Sequence, residues 1–97
     1  MLTKDKILKT IKQCSEEIGA FGVKKMGIFG SFSHSDQRPG SDIDVIVEFN
    51  KGTKTFDNYI GLKFYLEKVF HRKVDLVIKE ALKQKIKKQV LSEVQYA

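Results

Sequence analysis

MGIFGS at residues 26–31 and SDIDVIVEF at residues 41–49 are two short apolar runs bounded by turn-forming residues. The first run predicts a buried strand that ends at its glycine and serine, and the second, rich in β-branched residues, predicts another strand. Alternate side chains of a strand share a face, so Asp42 and Asp44 are expected to point the same way, with the apolar residues between them facing the core. The two runs therefore predict a glycine–serine turn at the end of one strand and a pair of carboxylates on the next.

The rest of the chain follows helical or strand periodicity around these two runs. The predicted elements are a helix from Thr3 to about Gly19, a helix over 55–70, a strand over 73–78 and a helix over 82–94. Thr3 and Thr55 are the predicted N-caps, and Cys14, on the apolar stripe of the first helix, is expected to be a small buried hydrophobe. The polar run at 32–40 predicts a helical turn and a loop.

The predicted order is α-β-α-β-α-β-α, an α/β (α+β) arrangement in which helices cover a small sheet. The connection between the first two strands is short for a parallel crossover and favours an antiparallel pair. The connection to the third strand is long enough for parallel pairing. The expected sheet is therefore mixed.

With 97 residues, 41% of them hydrophobic and 31% charged, the chain is expected to form a single domain over residues 1–97. The formal net charge of +6 permits a nucleic acid, a nucleotide or an acidic protein as partner, or solubility alone. Lysines crowd the C-terminal third, whereas residues 41–48 carry three acids and no base. A basic body around an acidic patch is typical of a site that binds cations and, through them, polyanions.

One cysteine permits neither an internal disulfide nor a cysteine metal cluster. No apolar run approaches the length of a membrane span, and the N-terminus lacks the apolar core of a signal peptide. The expectation is a cytoplasmic protein without a membrane partner.

Asp42 and Asp44 lie about 7 Å apart along a strand, close enough for their side chains to converge on one cation or a pair of cations. Oxygen ligands alone suit Mg²⁺ or Mn²⁺, and Mg²⁺ commonly completes its shell with substrate phosphates. Asp75, in the third predicted strand, could join them if the two strands are neighbours. The alternative for Asp75 is an ordinary ion pair with Arg72 or Lys73.

Gly30 and Ser31 end the first strand at a turn whose exposed N–H groups and serine hydroxyl can hold phosphate oxygens. Each feature is common by itself. In combination, a phosphate-holding turn and three carboxylates that hold two metal ions indicate two-metal phosphoryl or nucleotidyl transfer.

The glycine–serine pair at 30–31, the nine residues that follow it, SDIDV at 41–45 and VDLV at 74–77 resemble the minimal nucleotidyltransferases of the DNA polymerase β superfamily. This resemblance extends over the whole chain. It implies a nucleotidyltransferase-like mixed sheet, with Asp42 and Asp44 binding two Mg²⁺ ions. It also implies that Asp75 binds one of them and helps to activate the acceptor hydroxyl, while Gly30 and Ser31 hold the triphosphate of ATP.

The resemblance also implies a partner. Members of this group are typically encoded beside a small helical HEPN-domain protein, and several such pairs behave as toxin and antitoxin. The nucleotidyltransferase there resembles an antitoxin that transfers AMP from ATP to a tyrosine of the HEPN ribonuclease. The expected protein is a Mg²⁺-dependent adenylyltransferase that silences a HEPN toxin.

The chain departs from the family pattern just after Ser31, where the run FSHS at 32–35 places His34 at the position of a usual arginine. His34 is only partly cationic at neutral pH, so triphosphate binding could depend instead on Arg38 or a lysine. His34, Arg38 and Ser41 join the candidate nucleotide-binding residues. A solvated loop position is the equally weighted alternative for His34.

Two other functions remain open from the sequence. The first is a non-catalytic module of the same fold that neutralises its partner sterically. The second, weaker one is direct nucleic-acid binding by the basic final helix.

Overall fold

The computed structural model describes residues 2–33 and 40–97, which contain four strands and four α-helices. In chain order they are α1 (Lys4–Gln13), α2 (Ser15–Ala20), β1 (Val23–Phe29), β2 (Ile43–Phe49), α3 (Phe56–Phe70), β3 (Val74–Ile78), a 3-10 turn (Lys79–Ala81), α4 (Gln84–Glu93) and β4 (Gln95–Tyr96). The loop predicted after residue 33 falls mostly outside the described residues.

The strands form one mixed sheet in the order β3-β2-β1-β4. β1 is antiparallel to both β2 and β4, whereas β2 and β3, joined through α3, are parallel. The expected mixed sheet, with an antiparallel first pair and a parallel crossover, is confirmed.

Both predicted N-caps form. The Thr3 hydroxyl accepts a hydrogen bond from the Lys6 backbone N–H at 3.3 Å, and the Thr55 hydroxyl accepts one from Asn58 at 3.1 Å. Each cap satisfies a donor that the first helical turn would otherwise leave unpaired.

The single helix predicted from Thr3 to about Gly19 is wrong in one respect, because it is divided at Cys14. The backbone of Cys14 has φ −97° and ψ 16°, outside helical values. Helical hydrogen bonds nevertheless continue on both sides, from Cys14 N to Thr10 O and from Ile18 N to Cys14 O, each 2.9 Å. The apolar periodicity survives this kink since Ile18 still reaches the core.

The main core lies on one face of the sheet, and Ile46 is buried on the other face. The inward-facing residues of β2, Ile43, Val45 and Val47, are fully buried, as predicted. They share the core with buried residues of the helices and the other strands: Ile7, Ile11, Ile18, Met26, Ile28, Leu62, Leu66, Val74 and Leu76. Cys14 packs against the same cluster, as predicted, but it is only partly buried.

β4 is an element that the sequence did not predict. It pairs with β1 at Gly27 and Ile28, and the Ala97 N–H donates to Met26 O at 3.0 Å. A Cβ on Gly27 would lie 2.8 Å from the Gln95 carbonyl oxygen, so only glycine lets β4 approach so closely. Within the described residues, no helix is long and apolar enough to cross a membrane.

Candidate active site

The parallel pairing of β2 and β3 brings two of the predicted carboxylates side by side. Asp44 and Asp75 are direct register partners near the starts of these strands. Their neighbours Val45 and Leu76 point into the core, so the two aspartates lie on the opposite face. Asp42, two residues before Asp44, is exposed just ahead of β2. The condition for Asp75 to join the other two aspartates, that its strand neighbours the Asp42/Asp44 strand, is met.

The glycine–serine turn reaches the same place from β1. Phe29, the last residue of β1, is the antiparallel partner of Asp44, and Gly30 follows it with φ +71°. A Cβ on Gly30 would overlap with Asp44 Oδ2. The turn and the carboxylate are therefore in direct contact, and this approach requires glycine at position 30.

The three carboxylates influence one another electrostatically. The pKa of Asp44 is raised from 3.8 to about 6, first by burial and then by the nearby negative charges of Asp75 and Asp42. A bound cation would offset this repulsion, because carboxylate oxygens are hard ligands that suit Mg²⁺. The donor set therefore fits a divalent metal in kind and in charge.

The side chains are neighbours rather than an assembled ligand set. Within residues 2–33 and 40–97, no group of three His, Cys, Asp or Glu side chains is already placed to hold a metal ion. Asp42 and Asp75 are both exposed, so their side chains can rotate without disturbing the core.

Arg72 is a residue of this region that the sequence analysis did not place in the site. Its Nη1 donates to the Ser41 carbonyl oxygen at 3.1 Å, and its guanidinium lies 5.5 Å from the centre of the Phe32 ring. Arg72 thus joins the segment before Asp42 to the turn after Gly30. The alternative ion pair of Asp75 with Arg72 or Lys73 does not form among the described residues.

The turn after Gly30 is anchored in the protein interior. Phe32 is fully buried, and the Ser33 hydroxyl donates to the Glu93 carbonyl oxygen at the end of α4. Ser31, the predicted phosphate-binding residue, is half-buried immediately before this anchor. His34 and Arg38 lie outside the described residues.

An open groove of about 510 Å³ lies elsewhere, between the start of α3 and β3. It is lined by Lys54, Thr55, Phe56, Tyr59, Leu76, Val77, Ile78 and Ala81. None of these is a predicted site residue, and the groove is mainly apolar, so the acidic cluster remains the candidate active site.

A mixed sheet that sets a glycine–serine turn against aspartates of two parallel strands defines the class of nucleotidyltransferases. A profile of the nucleotidyltransferase domain family matches residues 6–97. The chain belongs to this family. It is 37% identical over 97 residues to the protein adenylyltransferase MntA of Thermococcus cleftensis, an alignment that covers 99% of this chain and 97% of that protein.

Solved structures agree with this fold. One, described as a minimal nucleotidyltransferase, is 26% identical with a TM-score of 0.83, and the match covers 97% of this chain and 95% of that one. A toxin–antitoxin structure with AMP-PNP gives a TM-score of 0.72 at 24% identity, with 93% and 70% covered. An MNT antitoxin in complex with a tri-AMPylated HEPN toxin of Shewanella oneidensis gives 0.68 at 18% identity, with 97% and 71% covered. The resemblance stated from the sequence, the fold class and the enzyme class are confirmed.

Proposed function

We propose that this protein transfers AMP from ATP to a tyrosine hydroxyl of a HEPN-domain partner and so acts as its antitoxin. The observation that carries the proposal is the register pairing of Asp44 with Asp75 beside the Gly30 turn. The related MntA of Thermococcus cleftensis, named as a protein adenylyltransferase, supports AMP as the transferred group. The structure of an MNT antitoxin with a tri-AMPylated HEPN toxin supports a HEPN partner.

In the proposed reaction the acceptor oxygen forms a bond to the α-phosphorus of ATP, and the bond from that phosphorus to the bridging oxygen breaks. Pyrophosphate leaves, and the hydroxyl proton passes to a carboxylate, a role that the resemblance to the minimal nucleotidyltransferases assigns to Asp75. Such transfer depends mostly on positioning and charge neutralisation.

The positions of the site residues support a separate proposed role for each group of them. Asp42, Asp44 and Asp75 would hold Mg²⁺, which supplies positive charge against the phosphates. Gly30 and Ser31 would receive the phosphate oxygens, since glycine permits close approach of the backbone and the turn is fixed by Phe32. Arg72 would keep the two segments in register through Ser41.

The test is incubation of the chain with Mg²⁺, the product of the neighbouring gene as the proposed HEPN partner, and ATP labelled at either the α- or the γ-phosphate. Label from the α-position should appear on the partner, and label from the γ-position should not. Asp42→Asn and Asp44→Asn should each abolish the transfer. Lack of transfer with the intact chain, or equal transfer by these variants, would refute the catalytic proposal.

The same variants separate catalysis from steric capture. If the Asp42→Asn/Asp44→Asn double variant binds the partner but no longer suppresses its ribonuclease activity, AMP transfer is the means of neutralisation. If it suppresses that activity as well as the intact chain does, the non-catalytic binding module is the correct function.

A further inference from the structure

Ser33 is the one polar residue that is buried within residues 2–33 and 40–97, with 8% of its surface exposed. It lies three residues after Gly30, in the turn that follows β1. Its hydroxyl donates to the carbonyl oxygen of Glu93. A buried hydroxyl without a hydrogen-bond partner is costly, so this bond holds the Ser33 side chain in one position.

The bond from Ser33 joins the turn to the end of α4. Glu93 is the last residue of α4, and Val94 continues in an extended conformation, with φ −66° and ψ 134°. The last carbonyl groups of a helix have no N–H partner within that helix. The Ser33 hydroxyl supplies a donor to one of them from 60 residues away in sequence. The turn and the end of α4 therefore stabilise each other.

β4 makes a second connection, on the other side of the turn. Its first residue, Gln95, is the register partner of Ile28 in β1. Residues 93–95 therefore connect Ser33, after the turn, to Ile28, before it. Three residues of extended chain span at most about 11 Å. The two ends of the turn cannot move apart while both connections are intact.

The turn enclosed in this way is the one that touches the acidic cluster. Gly30 lies so close to Asp44 that a Cβ on the glycine would overlap with the carboxylate. A change in the shape of the turn would change the distance between its N–H groups and Asp44. Phosphates held by the turn and a metal ion held by the aspartates must keep a fixed relation for transfer to proceed.

We propose that Ser33 is a positioning residue for the nucleotide, which holds the Gly30 turn through Glu93 in the shape that receives the triphosphate. The inference rests on the proposed function, because that function assigns the turn to phosphate binding. Ser33 acts through the backbone of the turn, since its own hydroxyl is bonded to Glu93. Loss of the hydroxyl should therefore weaken nucleotide binding without removing a reacting group.

The first test compares nucleotide binding by Ser33→Ala and Ser92→Ala. Ser92 is the matched control, because its hydroxyl also donates to a carbonyl oxygen of α4, that of Gln89 at 2.6 Å, but is exposed. Calorimetric titration with AMP-PNP and Mg²⁺ is done without the partner. Ser33→Ala should raise the dissociation constant about three- to tenfold, as expected for loss of one hydrogen bond, and Ser92→Ala should leave it unchanged. Ser33→Thr keeps the hydroxyl and should bind AMP-PNP more tightly than Ser33→Ala.

The second test uses transfer kinetics to distinguish positioning from a general loss of structure. In Ser33→Ala, the KM for ATP should rise by the same factor as the dissociation constant of AMP-PNP. The kcat at saturating ATP and the KM for the partner should stay within about twofold of the intact chain. A smaller fraction of folded protein would instead lower the apparent kcat and leave the KM for ATP unchanged.

Equal affinity of Ser33→Ala and the intact chain for AMP-PNP overturns the inference. So does an equal loss of affinity in Ser92→Ala, a Ser33→Thr variant that binds no better than Ser33→Ala, or a loss of kcat with an unchanged KM for ATP. An intact chain that binds AMP-PNP but transfers no AMP refutes the proposed function alone, since the binding comparison is made without the partner. An intact chain that binds no AMP-PNP overturns both.

Discussion

Asp44 stands where burial and two neighbouring negative charges act on the same carboxyl group. Its strand position sets it beside Asp75, and its contact with Gly30 restricts the space around it. A raised carboxyl pKa of this kind is expected where several carboxylates lie close together in a cation-binding site. The residue thus connects the local sequence pattern to the chemistry of the site.

The pKa of Asp44 predicts how the metal-free protein responds to pH. The folded chain, with a pKa of about 6 at Asp44, binds more protons than the unfolded chain, with its ordinary value of 3.8. This group therefore contributes stability below pH 4 that is lost as pH rises through 6. Asp44→Asn should remove that contribution to the slope and stabilise the protein at pH 7 by about 1 kcal/mol after solvent screening.

Urea unfolding of both proteins in EDTA, at pH 4.5 and pH 7, measures the difference. Other carboxyl groups titrate in the same range, so the comparison between the two proteins is the relevant quantity. An identical pH dependence in the variant would contradict the raised pKa of Asp44.

Gly30 predicts a second effect at residue scale. Gly30→Ala should strain a positive φ and displace the Asp44 carboxylate, which costs about 1–3 kcal/mol and strongly reduces AMP transfer. Gly52→Ala is the matched control, because Gly52 has φ +84° and no atom within 4 Å of an added Cβ. Thermal unfolding and the transfer assay should show a loss of stability in both variants and a loss of activity only in the first.

Arg72 should behave as a positioning residue. Arg72→Lys keeps the charge but loses the planar group that both donates to Ser41 and covers Phe32. We expect kcat for AMP transfer to fall at least about tenfold. Lys73→Met, which removes an adjacent exposed cation, should change it little. Full activity in Arg72→Lys would mean that the charge of residue 72, rather than its contacts with Ser41 and Phe32, is what matters.

At the scale of elements, most of the fold followed from apolar periodicity, and the exceptions have physical reasons. β1, β2, β3, α3 and α4 lie within a few residues of their predicted positions. β4 has only two residues, too few to show alternation, and it exists because of its pairing with β1. The kink at Cys14 leaves the apolar stripe intact, so the pattern could not reveal it.

The candidate site, like the fold, could be predicted from the sequence in most of its parts but not in all of them. The three aspartates and the glycine–serine turn are local motifs, and the pairing of Asp44 with Asp75 follows once the two strands are parallel neighbours. The position of Arg72 depends on a contact 31 residues away in sequence, with Ser41, which no spacing rule encodes.

β4 predicts an effect at element scale. Gly27→Ala would bring a Cβ to 2.8 Å from both Gln95 O and Val94 Cγ1, and should push β4 off the sheet. Gly19→Ala, in α2 with nothing within 4 Å of the added methyl group, should instead stabilise by about 0.5–1 kcal/mol. Amide hydrogen exchange at Ala97, whose N–H donates to Met26 O, distinguishes the two variants. Unchanged protection at Ala97 in Gly27→Ala would contradict the pairing described here.

At the scale of the whole molecule, three aspartates of a basic chain lie together at one place. The net charge of +6 surrounds a cluster of three aspartates, an arrangement that attracts polyanions such as ATP once a cation is bound. The alignment covers 97% of the MntA relative, and the proposed transfer takes its acceptor from the partner.

The most direct measurement is the mass of the purified HEPN partner after incubation with this chain, ATP and Mg²⁺. The proposed function predicts that the partner gains mass in whole AMP units, located on a tyrosine, and that Asp44→Asn leaves its mass unchanged. A partner of unaltered mass with the intact chain, or the same gain with Asp44→Asn, would contradict the account.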